Sequence, residues 1–182
     1  AEECELTVRA MPSNKAVKIR LIPRPRRSSV VKASHLIAID FGSSRTSIRL
    51  IDLQNPNTEP VPLGPEHIPT AIHIRLANDP STWTFGETAL ANAQMKGALL
   101  RDFKRFLWKA DDPEVTSGIT AKDALFHYCK FLLEKCIQPE IRELCKTRLA
   151  DLNYNVAVSL PVLSEEEDAR YRRVLEETFS SA

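Results

Sequence analysis

Five consecutive residues, Asp40-Phe41-Gly42-Ser43-Ser44, carry the groups that a phosphate and a hydrated metal ion need. The carboxylate closes an apolar run, Leu36-Ile37-Ala38-Ile39. The glycine permits close backbone approach, and two hydroxyls and several N–H groups share one small space. Such a turn can cradle an anion while its carboxylate orients a hydrated cation. Asp, Gly and Ser are equally the residues of an ordinary hairpin turn. These positions alone leave both readings open. A second chemical candidate is Lys104, within the segment LLRDFKRFLWKA. On its residues alone it is a solvated charge whose stem lies along an apolar stripe. The four histidines, His35, His67, His73 and His127, are scattered and form no recognisable ligand set.

The elements that must position these groups follow from periodicity. Arg45–Asp52 alternates, with Ile48 and Leu50 on one face and Ser47 and Arg49 on the other, so strand, tight turn and strand make a β-hairpin. Five prolines between Asn55 and Pro69 make that stretch loop. Ala71–Leu76 alternates again and predicts Ile72, Ile74 and Leu76 facing the core. Trp83–Phe85 is a short strand, and Glu87–Ala110 reads as helix in two pieces interrupted by Gly97. Its second piece carries Leu99, Leu100, Phe103, Phe106 and Leu107 beside Lys104. Thr120 and Asp123 form a capping box before a long helix that Pro139 must kink or divide. Asn155–Leu160 is a buried strand ended by Pro161, and Ser164 with Glu167 caps a last helix to about Phe179. The order is that of an α/β domain.

Before this domain, Leu6, Val8 and Ala10 alternate, as do Val17, Ile19 and Leu21, with a turn at Met11–Lys15. Residues 1–33 thus read as a small β-hairpin appendage plus linker, and residues 34–182 as the main unit. Arg24, Arg26, Arg27 and Lys32 could bind an anion, but Pro23–Ser29 reads as a basic, extended, solvated linker.

Composition narrows the class. The chain has 182 residues, 43% of them hydrophobic and 27% charged, enough for one substantial core. A net charge of +1 implies neither a nucleic-acid nor a membrane partner. Glu2 and Glu3 stand where a secretory leader would carry a basic segment. Cys4, Cys129, Cys136 and Cys145 match no zinc spacing and suit reduced packing residues, so a cytoplasmic location is expected.

Several stretches, in the same order, resemble the N-terminal part of the ATPase domain of the seventy-kilodalton heat-shock chaperones, in the actin-like, ribonuclease-H-like superfamily. AIDFGSSRTSI resembles that family's first phosphate loop, and Pro69-Thr70-Ala71-Ile72 its proline-led third strand. Phe85-Gly86-Glu87-Thr88-Ala89 resembles the Gly-acidic segment that starts the next helix. Phe103-Lys104-Arg105-Phe106-Leu107 resembles the segment bearing the catalytic lysine. Val156–Pro161 resembles the strand ending Val-Pro, with Arg170 the nearest match to an arginine in the following helix.

The resemblance implies an ATP-binding first lobe, a mixed sheet flanked by helices, with ATP or ADP and magnesium as cofactors. Asp40 would hold magnesium through water. Gly42, Ser43 and Ser44 would line the phosphates, with Arg45 beside them, and Lys104 would assist phosphoryl transfer to water. Partners would be the remaining lobe and, in the whole protein, unfolded clients and co-chaperones. The last helix begins where a parallel sheet would turn toward another strand, so a fragment or first lobe of a longer protein, nearly inactive alone, is expected. Ser43 and Ser44 replace the family's threonines, and Arg45 stands where an aromatic residue is usual. These departures make the resemblance one to a divergent member and leave two alternatives: a non-hydrolysing scaffold that keeps the fold, and a small-metabolite kinase of the same superfamily.

Overall fold

The computed structural model describes residues 5–9, 16–22 and 33–181, apart from 56, 110, 111, 117 and 162. The turn expected at Met11–Lys15, the basic linker from Pro23 and Cys4 lie outside the described residues. Strands β1 (Glu5–Arg9) and β2 (Ala16–Ile22) pair antiparallel. They are followed by β3 (His35–Phe41), β4 (Arg45–Asp52), and two short pieces, β5 (Val61–Pro62) and β6 (Ile68–Pro69). Then come β7 (Ala71–Ile74), β8 (Thr84–Phe85), α1 (Gly86–Ala91) and β9 (Ala98–Arg101). A small hairpin, β10 (Glu114–Thr116) and β11 (Ile119–Thr120), leads into α2 (Ala121–Phe131) and α3 (Gln138–Leu144). The strand β12 (Tyr154–Ser159) and helix α4 (Glu165–Ser181) follow.

The main sheet is mixed, in the order β1-β2-β12-β3-β4-β5, with β6 also pairing β4. Among the described residues only β12 and β3 run parallel in it, Val156 beside Ile37 and Val158 beside Ile39. The hairpin is joined to the sheet by backbone pairing, because β2 lies antiparallel along the other side of β12. The chain is therefore α/β, with a mixed sheet and helices.

Period-two alternation sends Ile37, Ile39 and Phe41 to one face of β3, opposite Leu50, Ile48 and Thr46 of β4. All but Thr46, which is buried but polar, join one apolar cluster with Leu125, Tyr128 and Leu132 of the helical layer and Tyr171 and Leu175 of α4. Burying a Leu or Ile side chain contributes about 1.5–3 kcal/mol, so this face holds helices and sheet together. Thr120 accepts from the Asp123 N–H while the Asp123 carboxylate accepts from Thr120, the expected capping box. Ser164 and Glu167 form the same reciprocal pair at the start of α4. Between α2 and α3 the chain widens into a π turn, Leu132–Ile137, just before Pro139. Pro139 brings no N–H, and the wide turn lets the helix continue past it.

Two expectations need correcting. Glu87–Ala110 is not helical throughout: α1 ends at Ala91, and Ala98–Arg101 pairs antiparallel with β7. Gly97 explains the switch. Its φ is +138°, and a Cβ there would stand 2.5 Å from the Ile74 carbonyl oxygen, a close approach only glycine allows. The apolar residues that follow then build a strand, after which Asp102 at φ +55° turns the chain into a single 3-10 turn, Phe103–Phe106, carrying Lys104. Leu76, expected to face the core, lies past the end of β7 and is half-exposed.

Beneath the β3–β4 turn a buried hydroxyl chain ties sheet to helix. Tyr128 of α2 donates to the Pro69 carbonyl (3.1 Å) and lies 3.2 Å from Thr46 Oγ1, which is 3.0 Å from Thr70 Oγ1. Tyr128→Phe removes one end of this chain and leaves its neighbours short of a buried partner. Urea unfolding should show a loss of about 1–3 kcal/mol; an unchanged midpoint would show that the chain contributes nothing to stability.

Candidate functional site

The site is built where two parallel strands stop. Residues Ile37, Ile39 and Phe41 direct their backbone groups toward β12, while the alternate residues pair with β4. Continuing that ladder past Ser159 would bring residue 161 to donate to the Phe41 carbonyl, but Pro161 has no N–H. Two side chains take over. The Phe41 N–H donates to Ser159 Oγ (3.0 Å), and the Phe41 carbonyl accepts from Lys104 Nζ. The strand end is thus closed by a hydroxyl and an ammonium.

Those substitutions fix the mouth of the turn. Ser159 Oγ also donates to Asp40 Oδ1 (2.8 Å), so the exposed Asp40 carboxylate is held against the end of β12. The Gly42 N–H donates to the Arg45 carbonyl (3.0 Å), closing the turn. A Cβ on Gly42 would lie 2.5 Å from that carbonyl oxygen, so the tight closure requires glycine. Thr70 grips the loop twice, its hydroxyl donating to the Gly42 carbonyl (2.9 Å) and its N–H to the Ser44 carbonyl (3.0 Å). Ser43, Ser44 and Arg45 are exposed at the tip.

Lys104 is not the solvated charge that its residues alone suggest. It is 6% exposed. Phe103 beside it is fully buried against Phe41 and Tyr128, which forces the short 3-10 turn inward. The ammonium lies 5.0 Å from the Phe41 ring centroid and 5.6 Å from that of Tyr171, favourable for a cation over a π face. Burial pushes its pKa down to about 8, and the negative charge of Asp40 opposes that fall. Carboxylate, glycine turn and lysine therefore converge on one strand end. Arg170 does not join them: it pairs with Glu166 one turn back on α4.

Two residues of this constellation, Ser159 and Thr70, were not singled out from sequence. The signal for Ser159 was its place at the carboxyl end of a strand, where α/β sheets bind ligands. Nothing local marked Thr70.

The donor set suits a cation that keeps most of its water. Among the described residues no three His, Cys, Asp or Glu side chains cluster as a metal cage. A lone exposed carboxylate beside a glycine turn fits hydrated magnesium, which takes one or two carboxylates and retains water, and does not fit zinc. Cys129 and Cys136 are buried free thiols; burial raises both, Cys136 to about 11, which keeps them protonated and inert. No described helix is long and apolar enough to cross a membrane.

No family model matches the chain, and no curated protein matches it.

Two outcomes are expected here. Gly42→Ala should open the turn and lower stability by about 1–3 kcal/mol, with the loss of hydrogen-exchange protection confined to residues around the hairpin. For Lys104 the folded pKa of about 8 lies below the ordinary 10.5. Between those values the unfolded chain binds more protons, so this group adds stability as pH rises through that window. Relative to Lys104→Met, the native protein should gain up to about 3 kcal/mol from pH 7.5 to 10.5. Urea melts at stepped pH that run parallel for the two proteins would show that the lysine is not desolvated.

Proposed function

We propose that residues 34–182 form the ATP-binding first lobe of a heat-shock-70-like ATPase of the ribonuclease-H-like, actin-like superfamily, supplying one half of an ATP clamp. The observation that carries this reading is the convergence of Asp40, the Gly42 turn and Lys104 at the carboxyl ends of two parallel strands. The turn and the lysine lie far apart in sequence, Phe41 and Lys104 by 63 positions.

In this reading Asp40 holds magnesium through water, and the Gly42–Ser44 backbone with the Ser43 and Ser44 hydroxyls receives the β- and γ-phosphates. Arg45, exposed at the tip, adds a cation on the same side. Magnesium, when bound, neutralises phosphate charge. Lys104 keeps its proton at neutral pH, because its pKa of about 8 still lies above 7. To reach a phosphate, the ammonium exchanges the Phe41 carbonyl for a phosphate oxygen. In the whole protein, hydrolysis would drive lobe closure coupled to unfolded clients and co-chaperones in the cytoplasm, and ADP would be the bound product.

A second reading has its own support. Lys104 is buried and already engaged by a backbone carbonyl, as a structural lysine would be in a scaffold domain that keeps the fold without hydrolysis. Mg-ATP turnover by the full-length protein, with Lys104→Ala alongside, separates the two. The ATPase reading expects turnover that falls at least about a hundredfold in the variant, the scale of losing one charge-stabilising group. Nucleotide binding without turnover in either protein favours the scaffold. Absence of Mg-ATP and Mg-ADP binding by calorimetry would overturn the nucleotide reading altogether.

A further inference from the structure

Ser159 lies outside the residues that sequence or resemblance assigns to the site, yet its hydroxyl donates to the Asp40 carboxylate. Its hydroxyl has one proton and two bonds. The Phe41 N–H occupies an oxygen lone pair at 3.0 Å, so the proton is left for Asp40 Oδ1 at 2.8 Å. The hydroxyl cannot reverse its polarity, because a backbone N–H only donates. Its backbone is equally fixed: Ser159 is the last residue of β12, next to Val158, which is buried and pairs with Ile39 in the parallel ladder.

We propose that Ser159 is a positioning residue for the cation site. It pins one oxygen of an otherwise exposed carboxylate and leaves Oδ2 to receive a hydrated divalent cation. This inference rests on the nucleotide reading above and deepens it. An exposed Asp side chain samples several rotamers, and ordering it on binding costs affinity. Ser159 does that ordering in advance, through the same hydroxyl that terminates the sheet. Groups that hold a metal-facing carboxylate in this way typically change metal affinity by about 10–100-fold when removed. Threonine keeps the hydroxyl, and valine keeps the shape of threonine without it, so Ser159→Thr and Ser159→Val form a matched pair that separates the hydroxyl's two hydrogen bonds from packing.

The test is ADP binding to the full-length protein by calorimetry, at stepped magnesium concentration and with a metal-free arm in chelator. Ser159→Val should raise the magnesium concentration for half-maximal enhancement of ADP binding at least about tenfold. Metal-free ADP affinity should fall far less than that, and Ser159→Thr should restore the native magnesium dependence. Equal magnesium dependence in the native and Val proteins, while both bind ADP, would overturn the positioning role and leave the nucleotide reading standing. A Val variant that loses metal-free binding to the same extent would overturn it too, showing general damage to the loop. Native protein that binds no ADP under any condition overturns the nucleotide reading and this inference together. If Ser159→Val does not fold, Ser159→Cys, with its weaker donor, takes its place and is expected to fall between native and Thr-like behaviour on one side and the chelator arm on the other; native-like dependence there overturns the role.

Discussion

A parallel ladder that runs into a proline is the constraint from which the local structure follows. Pro161 cannot donate to the Phe41 carbonyl, and a buried carbonyl without a donor costs about 1–3 kcal/mol. The structure answers with a side chain rather than with backbone. An ammonium must be brought to the strand end, so a segment bearing Lys104 is drawn under the sheet and its cation is buried among aromatic rings. That burial lowers the pKa of the lysine, and the Asp40 charge nearby offsets part of the cost. One missing N–H thus accounts for an inward lysine beside an acidic turn.

The same constraint explains why the lysine segment takes the form it does. A regular α-helix through Ala98–Leu107 would have presented Lys104 at a stripe edge. Instead Gly97 and Asp102, both at positive φ, bracket a four-residue strand and then a single tight turn. The strand is anchored by pairing with β7, and the turn by Phe103, which is fully buried. Positive φ at a non-glycine residue is uncommon, and Asp102 adopts it immediately before the turn that carries Lys104.

Much of the architecture was legible in sequence because it rests on short-range signals. Alternation marked β4, short apolar runs marked β3 and β12, and the reciprocal Ser/Thr-acid pairs marked the starts of α2 and α4. The Ala98–Arg101 strand was not legible, since a short apolar run fits either a helix or a strand and only pairing with β7 decides between them. Leu76 was misplaced for a related reason: alternation continues in the sequence beyond the point where the pairing stops. In the site, Asp40 and Gly42 declared themselves through residue type, whereas the burial of Lys104 and the roles of Ser159 and Thr70 arise from contacts between distant segments.

The hydroxyl chain under the turn has a consequence for how this protein can change over evolutionary time. Thr46, Thr70 and Tyr128 sit on separate segments yet satisfy one another in a buried space. Losing any one of them strands its neighbours, and exchanging the whole set for apolar groups would also leave the Gly42 and Pro69 carbonyls without their donors. Single steps away from this trio are therefore uphill, and the combined step is uphill as well. The three positions are held together by backbone that cannot change with them, and the loop above inherits that resistance to change.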